Sequence, residues 1–94
     1  MNKYETIFIV DSELTEEART PVVERFTNMI ASNGQLEAID EWGVRRLAYP
    51  INDKSEGYYV LVTYSAPPDF PSELERVFKI SDSILKFLII RKDD

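Results

Sequence analysis

The sequence predicts an α+β fold, a βαββαβ sandwich in which a four-stranded antiparallel sheet carries two helices on one face. Four segments are rich in β-branched and aromatic residues, and two others carry apolar residues at helical spacing. Their order gives two strand–helix–strand units, and right-handed crossovers within one antiparallel sheet put both helices on the same side. The 94 residues, 44% apolar and 30% charged, fit one folded domain spanning 1–94. A chain of this size buries only about 60–65% of its unfolded surface, so its core has to be well patterned.

The first strand is "KYETIFIV", from Lys3 to Val10. Tyr4, Thr6, Phe8 and Val10 share one side of it, and Glu5, Ile7 and Ile9 the other. Both sides are partly apolar, which suits a central position. "DSEL" turns the chain into a helix whose stripe is Val22, Phe26, Met29, Ile30 and Asn33. Thr15 with Glu16 and Glu17 suits an N-cap and an acidic first turn, which leaves Pro21 inside the helix, kinking its axis. The alternative start is Thr20 as cap with Pro21 at the first helical position; the Thr15 start is preferred. Asn33-Gly34 suits a left-handed C-cap.

"GQLEAIDEWGVRRLAYPI" and "GYYVLVTYSA" then read as a β-hairpin joined by a polar, mobile loop, "NDKSE". The first arm is long, and Gly43 marks a bulge or bend in it. Asp69 and Pro71 open a second helix with Leu74, Val77, Phe78 and Ser81 facing inward. "ILKFLIIRK" closes the chain as the last strand. The whole is the ferredoxin-like arrangement, and one face of its sheet lacks a helical cover.

Alternation says what that face shows. Phe8, Val10, Val60, Val62, Tyr64, Ile84, Phe87 and Ile89 suit the covered side. Ile7, Ile9, Tyr59, Leu61, Leu88 and Ile90 then look outward together as a partner-binding patch, since monomers rarely expose large apolar areas. A one-residue slip in any strand would exchange the faces. Lys3, Arg45, Arg46, Lys86, Arg91 and Lys92 lie on or beside the same face and are the candidate RNA contacts, because arginine in particular matches phosphate with a planar fork of donors. Tyr59 is the only aromatic placed outward, which favours phosphate contacts at the edge over base stacking.

Arg45 and Arg46 stand out because they sit inside the apolar run "WGVRRLAYPI" of an acidic protein. Their plain reading is a solvated or salt-bridged pair beside Glu37, Asp40 and Glu41. With 17 acidic and 11 basic residues the net charge is -6, which argues against unassisted binding to nucleic acid over a broad surface.

Chemistry is sparse. There is no histidine for acid–base work at neutral pH and no cysteine or histidine set for zinc, so catalysis, a metal and a cofactor are not expected. Gly34, Gly43 and Gly57 form no phosphate loop. No signal peptide or membrane-length apolar run is read, and an intracellular location fits the lack of cysteine.

"WGVRRLAYPI", with "KYETIFIV" and "GYYVLVTY", strongly resembles the bacterial small-subunit ribosomal protein S6 family over nearly the whole chain. That resemblance implies a cytoplasmic structural component of the small ribosomal subunit. It implies binding to the central domain of small-subunit ribosomal RNA, as a heterodimer with the small basic protein S18, with no membrane and no small-molecule substrate. Arg45 and Arg46 match the family's paired arginines, and Lys86 a basic position at the start of the last strand. Where some relatives have two basic residues there, this chain has Leu85 and Lys86. Asn2 before Lys3 makes the N-terminal segment less basic, and Pro21 departs from a more regular first helix. Many relatives continue past the position of Asp94 with a tail that contacts the partner, so no tail-dependent contact is expected. The competing readings are a ferredoxin-like homodimer that binds a ligand or regulates another molecule, and an acylphosphatase-like hydrolase, for which no phosphate loop is found.

Overall fold

Tyr4, Thr6, Phe8 and Val10 all lie on one side of the first strand, and all are buried. The computed structural model, which describes residues 1–92, places that strand, β1 (Asn2–Asp11), in the middle of a four-stranded sheet. Helix α1 (Glu16–Asn33), strands β2 (Gln35–Ile51) and β3 (Lys54–Ala66), helix α2 (Phe70–Lys79) and strand β4 (Ile84–Lys92) follow. The strand order is β2-β3-β1-β4 with antiparallel neighbours throughout, as the sequence predicts.

The core lies between this sheet and the helices. Phe8, Phe26 and Phe78 pack ring against ring with centroids 4.4–5.5 Å apart, and Phe87 stacks on Phe78 at 5.0 Å. Val10, Ile30, Val60, Val62 and Leu74 fill the rest and are fully buried. Burying a side chain of this size stabilises the fold by about 1.5–3 kcal/mol. Two polar groups are sealed in with them: Thr6 Oγ1 and the Tyr64 hydroxyl share a hydrogen bond of 2.8 Å, which removes the cost of burying either alone.

Helix α1 starts where Thr15 caps it, its Oγ1 accepting from the Ala18 amide at 3.2 Å. Thr20 is not a cap; its hydroxyl donates to the Glu16 carbonyl at 2.9 Å, and the helix continues through Pro21. The buried stripe differs from the predicted one. Val23, Phe26, Thr27 and Ile30 are buried, Val22 and Met29 only flank the core, and Asn33 is exposed, its side chain donating to the Met29 carbonyl at 2.8 Å. Val23 and Thr27 precede Phe26 and Ile30 by three, so the contact line simply runs one residue round from the reading based on Val22. Gly34 is not left-handed either, with φ -155°. Its place is set by crowding, since a Cβ there would stand 2.2 Å from the Ser65 carbonyl oxygen.

The hairpin is tighter than its loop composition suggests. Lys54 already pairs with Ile51, so the turn is the two residues Asn52 and Asp53, both with positive φ (50° and 63°). Those angles match the right-handed twist of the arms, which is why Asn and Asp serve here. Pairing shifts register around Trp42, where Gly43 takes φ +85°, so the predicted bulge is present. In the β1–β4 pairing, a shift between Ile9 and Val10 omits Leu85 from the ladder, which explains how Ile84 and Phe87 both reach the core side. In α2, Phe70 joins Leu74, Val77 and Phe78 in the core, and Ser81 falls beyond the helix end.

Candidate functional site

Register carries the uncovered face across three strands. Ile7 lies between Leu61 and Leu88, and Ile9 between Tyr59 and Lys86; Ile90 follows opposite Glu5, so the predicted apolar residues adjoin one another. Leu88 and Ile90 are exposed at 53% and 40%, and Ile7, Tyr59 and Leu61 are half-buried. A shallow depression of about 170 Å³ runs between Ile7, Ile9, Tyr59, Phe87, Leu88 and the stem of Lys86.

Ile9 does not belong to the exposed set. It is 6% exposed, and what lies beside it is not a helix but the far end of the β2–β3 hairpin, through Leu47, Tyr49, Ile51 and Gly57. Beyond Asp11 the hairpin has no β1 partner, and it bends back over the open face. Tyr49, on the edge strand β2, thereby reaches Lys86 on the opposite edge strand, and its hydroxyl accepts from the ammonium at 2.8 Å. Leu47, buried, comes with it. Gly57 makes room, for a Cβ there would lie 2.2 Å from Ile9 Cγ2 and 3.4 Å from Leu47 Cδ2. The hairpin tip is pinned on its other side, where Lys54 pairs with Glu13 and, at 3.4 Å, with Asp11. Ser12 Oγ adds a bond of 3.1 Å to the Glu56 carbonyl.

The bulge also brings an aromatic residue that alternation alone misses. Trp42 turns onto the open face and stacks on Tyr59, with centroids 5.9 Å apart and planes 12° from parallel. Its indole N–H donates to Asp40 Oδ2 at 3.0 Å, and the Arg45 guanidinium lies 5.6 Å from its ring centroid. Three aromatic residues therefore serve this face, Trp42, Tyr49 and Tyr59, where the sequence offered Tyr59 alone. The legible signal was Gly43: counting afresh after a bulge there puts Arg45, Leu47, Tyr49 and Ile51 on one side.

The candidate cations separate accordingly. By register Arg45, opposite Gly57, falls on the open face, while Arg46, opposite Glu56, falls on the other. Neither forms an ion pair with Glu37, Asp40 or Glu41; those carboxylates accept instead from Ser65, Trp42 and Tyr58. Lys86 is on the open face, and the hydrogen bond from its ammonium to Tyr49 raises its pKa above the ordinary lysine value. Lys3 and Lys92 pair across β1 and β4 on the same face, Lys92 bonding to Glu5 at 3.3 Å. Arg91 sits opposite Tyr4 and so lies on the helix side, donating to Asn2 Oδ1 at 3.3 Å. Arg46 and Arg91 thus do not join the others on this surface, because neighbouring strand residues point to opposite faces.

Among the described residues no acidic group is arranged to hold a metal ion, and no helix is long and apolar enough to cross a membrane. The arrangement suits contact rather than bond chemistry: an apolar, aromatic surface with cations on it and along its margin. The family model described as "Ribosomal protein S6" matches residues 3–91. The small ribosomal subunit protein bS6 of Caldanaerobacter subterraneus is 50% identical over 95 aligned residues, covering 100% of both chains. That of Clostridium novyi is 46% identical over 94, covering 99% of each. A crystal structure of 30S ribosomal protein S6 from Thermotoga maritima superposes with a TM-score of 0.91 at 27% identity, covering 97% of this chain and 87% of that one.

Proposed function

The chain belongs to the ribosomal protein S6 family, a family of ribosome constituents and not of enzymes, and from that premise we propose how it works in the small ribosomal subunit. In the cytoplasm, as a single domain, it binds the central domain of small-subunit ribosomal RNA as a heterodimer with protein S18, and does so as a structural element. The observation that carries this reading is the uncovered sheet face. Leu88 and Ile90 stand exposed beside Ile7, Leu61 and the Trp42–Tyr59 stack, an apolar surface of the kind that partner proteins cover. Arg45, Lys86, Lys3 and Lys92 belong to the same face, so RNA phosphate is met next to the protein contact.

The division of labour answers the charge problem. A chain of net charge -6 repels nucleic acid at long range, so its own cations are effective only once a basic partner has neutralised that field. Binding is then cooperative: the partner covers the apolar face, and the joint surface meets RNA.

The test mixes the chain with central-domain RNA, with and without S18, and follows retention against salt. Retention that requires all three components, with affinity falling by about 0.7–0.9 log units per log unit of salt for each phosphate contacted, is the expected result. Tight self-association of the chain with no dependence on RNA would overturn the reading in favour of a homodimer.

A further inference from the structure

We propose that Trp42 and Tyr49 are positioning residues that hold Arg45 and Lys86, respectively, ready for RNA phosphate before RNA arrives. The inference rests on the function proposed above and names the chemistry of its contact.

Trp42 is itself fixed at two points, by the stack on Tyr59 at 5.9 Å and by the indole bond to Asp40 at 3.0 Å. A ring so held offers the Arg45 guanidinium, 5.6 Å from its centroid, a cation–π seat that narrows where a long, flexible side chain points. Tyr49 does the same for Lys86 by two contacts, a hydrogen bond of 2.8 Å and a ring centroid 5.1 Å from the ammonium. Tyr59 joins the two pairs, stacking on Trp42 and lining the depression with Lys86. The result is two aromatic–cation pairs on either side of Tyr59, which also lines a depression with Tyr49 and Lys86.

What the cations leave unused indicates the ligand. Lys54, Arg76, Lys79 and Lys92 each meet a carboxylate of the chain. Among the described residues, Arg45 and Lys86 meet none; Lys3, Arg19, Arg25 and Arg46 form no ion pair either, but only Arg45 and Lys86 combine that with an aromatic neighbour on the open face, which leaves their charge intact. Arginine keeps its forked donors free, and lysine keeps two of its three N–H groups after bonding Tyr49. Held in place, uncompensated by acid, and presented beside an apolar protein contact, they suit an oxyanion, and in an RNA assembly that oxyanion is phosphate. Pre-ordering matters because an immobilised side chain loses less freedom on binding.

The experiment uses the full chain with S18 and central-domain RNA, measuring RNA retention and, separately, affinity for S18 alone, with circular dichroism and melting to establish folding. Trp42→Ala is expected to weaken RNA retention about two- to five-fold, the size of an exposed cation–π contact. Trp42→Phe restores most of it, and Trp42→Ala adds nothing once Arg45→Ala is present. Tyr49→Phe, which removes one oxygen from an exposed residue and leaves the fold intact, is expected to weaken retention about two-fold and to add nothing to Lys86→Ala. If Arg45→Ala and Lys86→Ala weaken retention while the aromatic variants do not, or add fully to them, positioning is refuted and the RNA contact stands. A loss of S18 affinity with RNA retention unchanged also refutes it, making Trp42 a protein anchor. If neither Arg45→Ala nor Lys86→Ala changes retention, the RNA role of these cations falls, and the inference with it.

Discussion

Replacing Gly57 with alanine tests whether the bent hairpin covers Ile9. The added methyl would stand 2.2 Å from Ile9 Cγ2, 3.4 Å from Leu47 Cδ2 and 3.7 Å from Ile9 Cβ. The first distance is far inside van der Waals contact, and Ile9 cannot yield easily, since its β-branch fixes the rotamer and it is 6% exposed. Overpacking of this kind costs about 1–3 kcal/mol. Against that, removing glycine from the unfolded chain recovers about 0.4–1 kcal/mol. The net is a loss of about 1–2 kcal/mol, a fall in Tm of about 4–16 °C for a domain of this length. Urea and thermal unfolding followed by circular dichroism measure it. The sharper form is a double-mutant cycle with Ile9→Ala, which deletes the clashing Cγ2. That change alone costs about 2–5 kcal/mol, as buried isoleucines do. The double variant should be more stable than the sum of the singles by about 1 kcal/mol or more. A Gly57→Ala protein as stable as the parent, with additive losses in the double variant, would mean that the hairpin does not press on Ile9.

Asp53→Gly should stabilise the chain by a few tenths to about 1 kcal/mol in urea unfolding, because Asn-Gly is the preferred pair for the left-handed turn at φ 50° and 63°; a loss of stability would count against that turn. Gly43→Ala meets nothing within 4 Å, so its cost is backbone strain alone at φ +85°, about 1–2 kcal/mol by the same assay, and no cost would refute the positive-φ bulge. Burial holds the Tyr64 hydroxyl above its ordinary value of 10.0, against a smaller lowering by the Thr6 hydrogen bond. A folded pKa above the unfolded one means that this contribution is whole below pH 10 and is lost as pH rises through the folded value. Melts between pH 8 and 11.5 should show Tm falling above about pH 10, less steeply in Tyr64→Phe, and identical profiles for the two proteins would exclude Tyr64 as the cause.

Function in this chain follows from what the fold leaves undone. Two helices cover one side of the sheet and none covers the other, so Leu88 and Ile90 are exposed although the core beneath is closed. The hairpin trims that surface by covering Ile9 and adds Trp42 and Tyr49 to it. The same segment supplies Trp42, Arg45, Leu47 and Tyr49, which is why "WGVRRLAYPI" is dense in features that would each be ordinary alone.

The order of elements, the inward sides of β1 and β3, the Thr15 cap and the Gly43 bulge were written in the sequence, because each depends on residues close together along the chain. Period-two alternation also separates Arg45 from Arg46, and Arg91 from Ile90 and Lys92. Placing all six cations on or beside one face therefore left unused a rule already legible for Arg46 and Arg91. The burial of Ile9 and the meeting of Tyr49 with Lys86 were different in kind. They depend on how far the hairpin curls across the sheet, and curvature is settled by packing between distant segments, at Gly57 against Ile9 and Lys54 against Glu13, which no periodicity along the chain encodes.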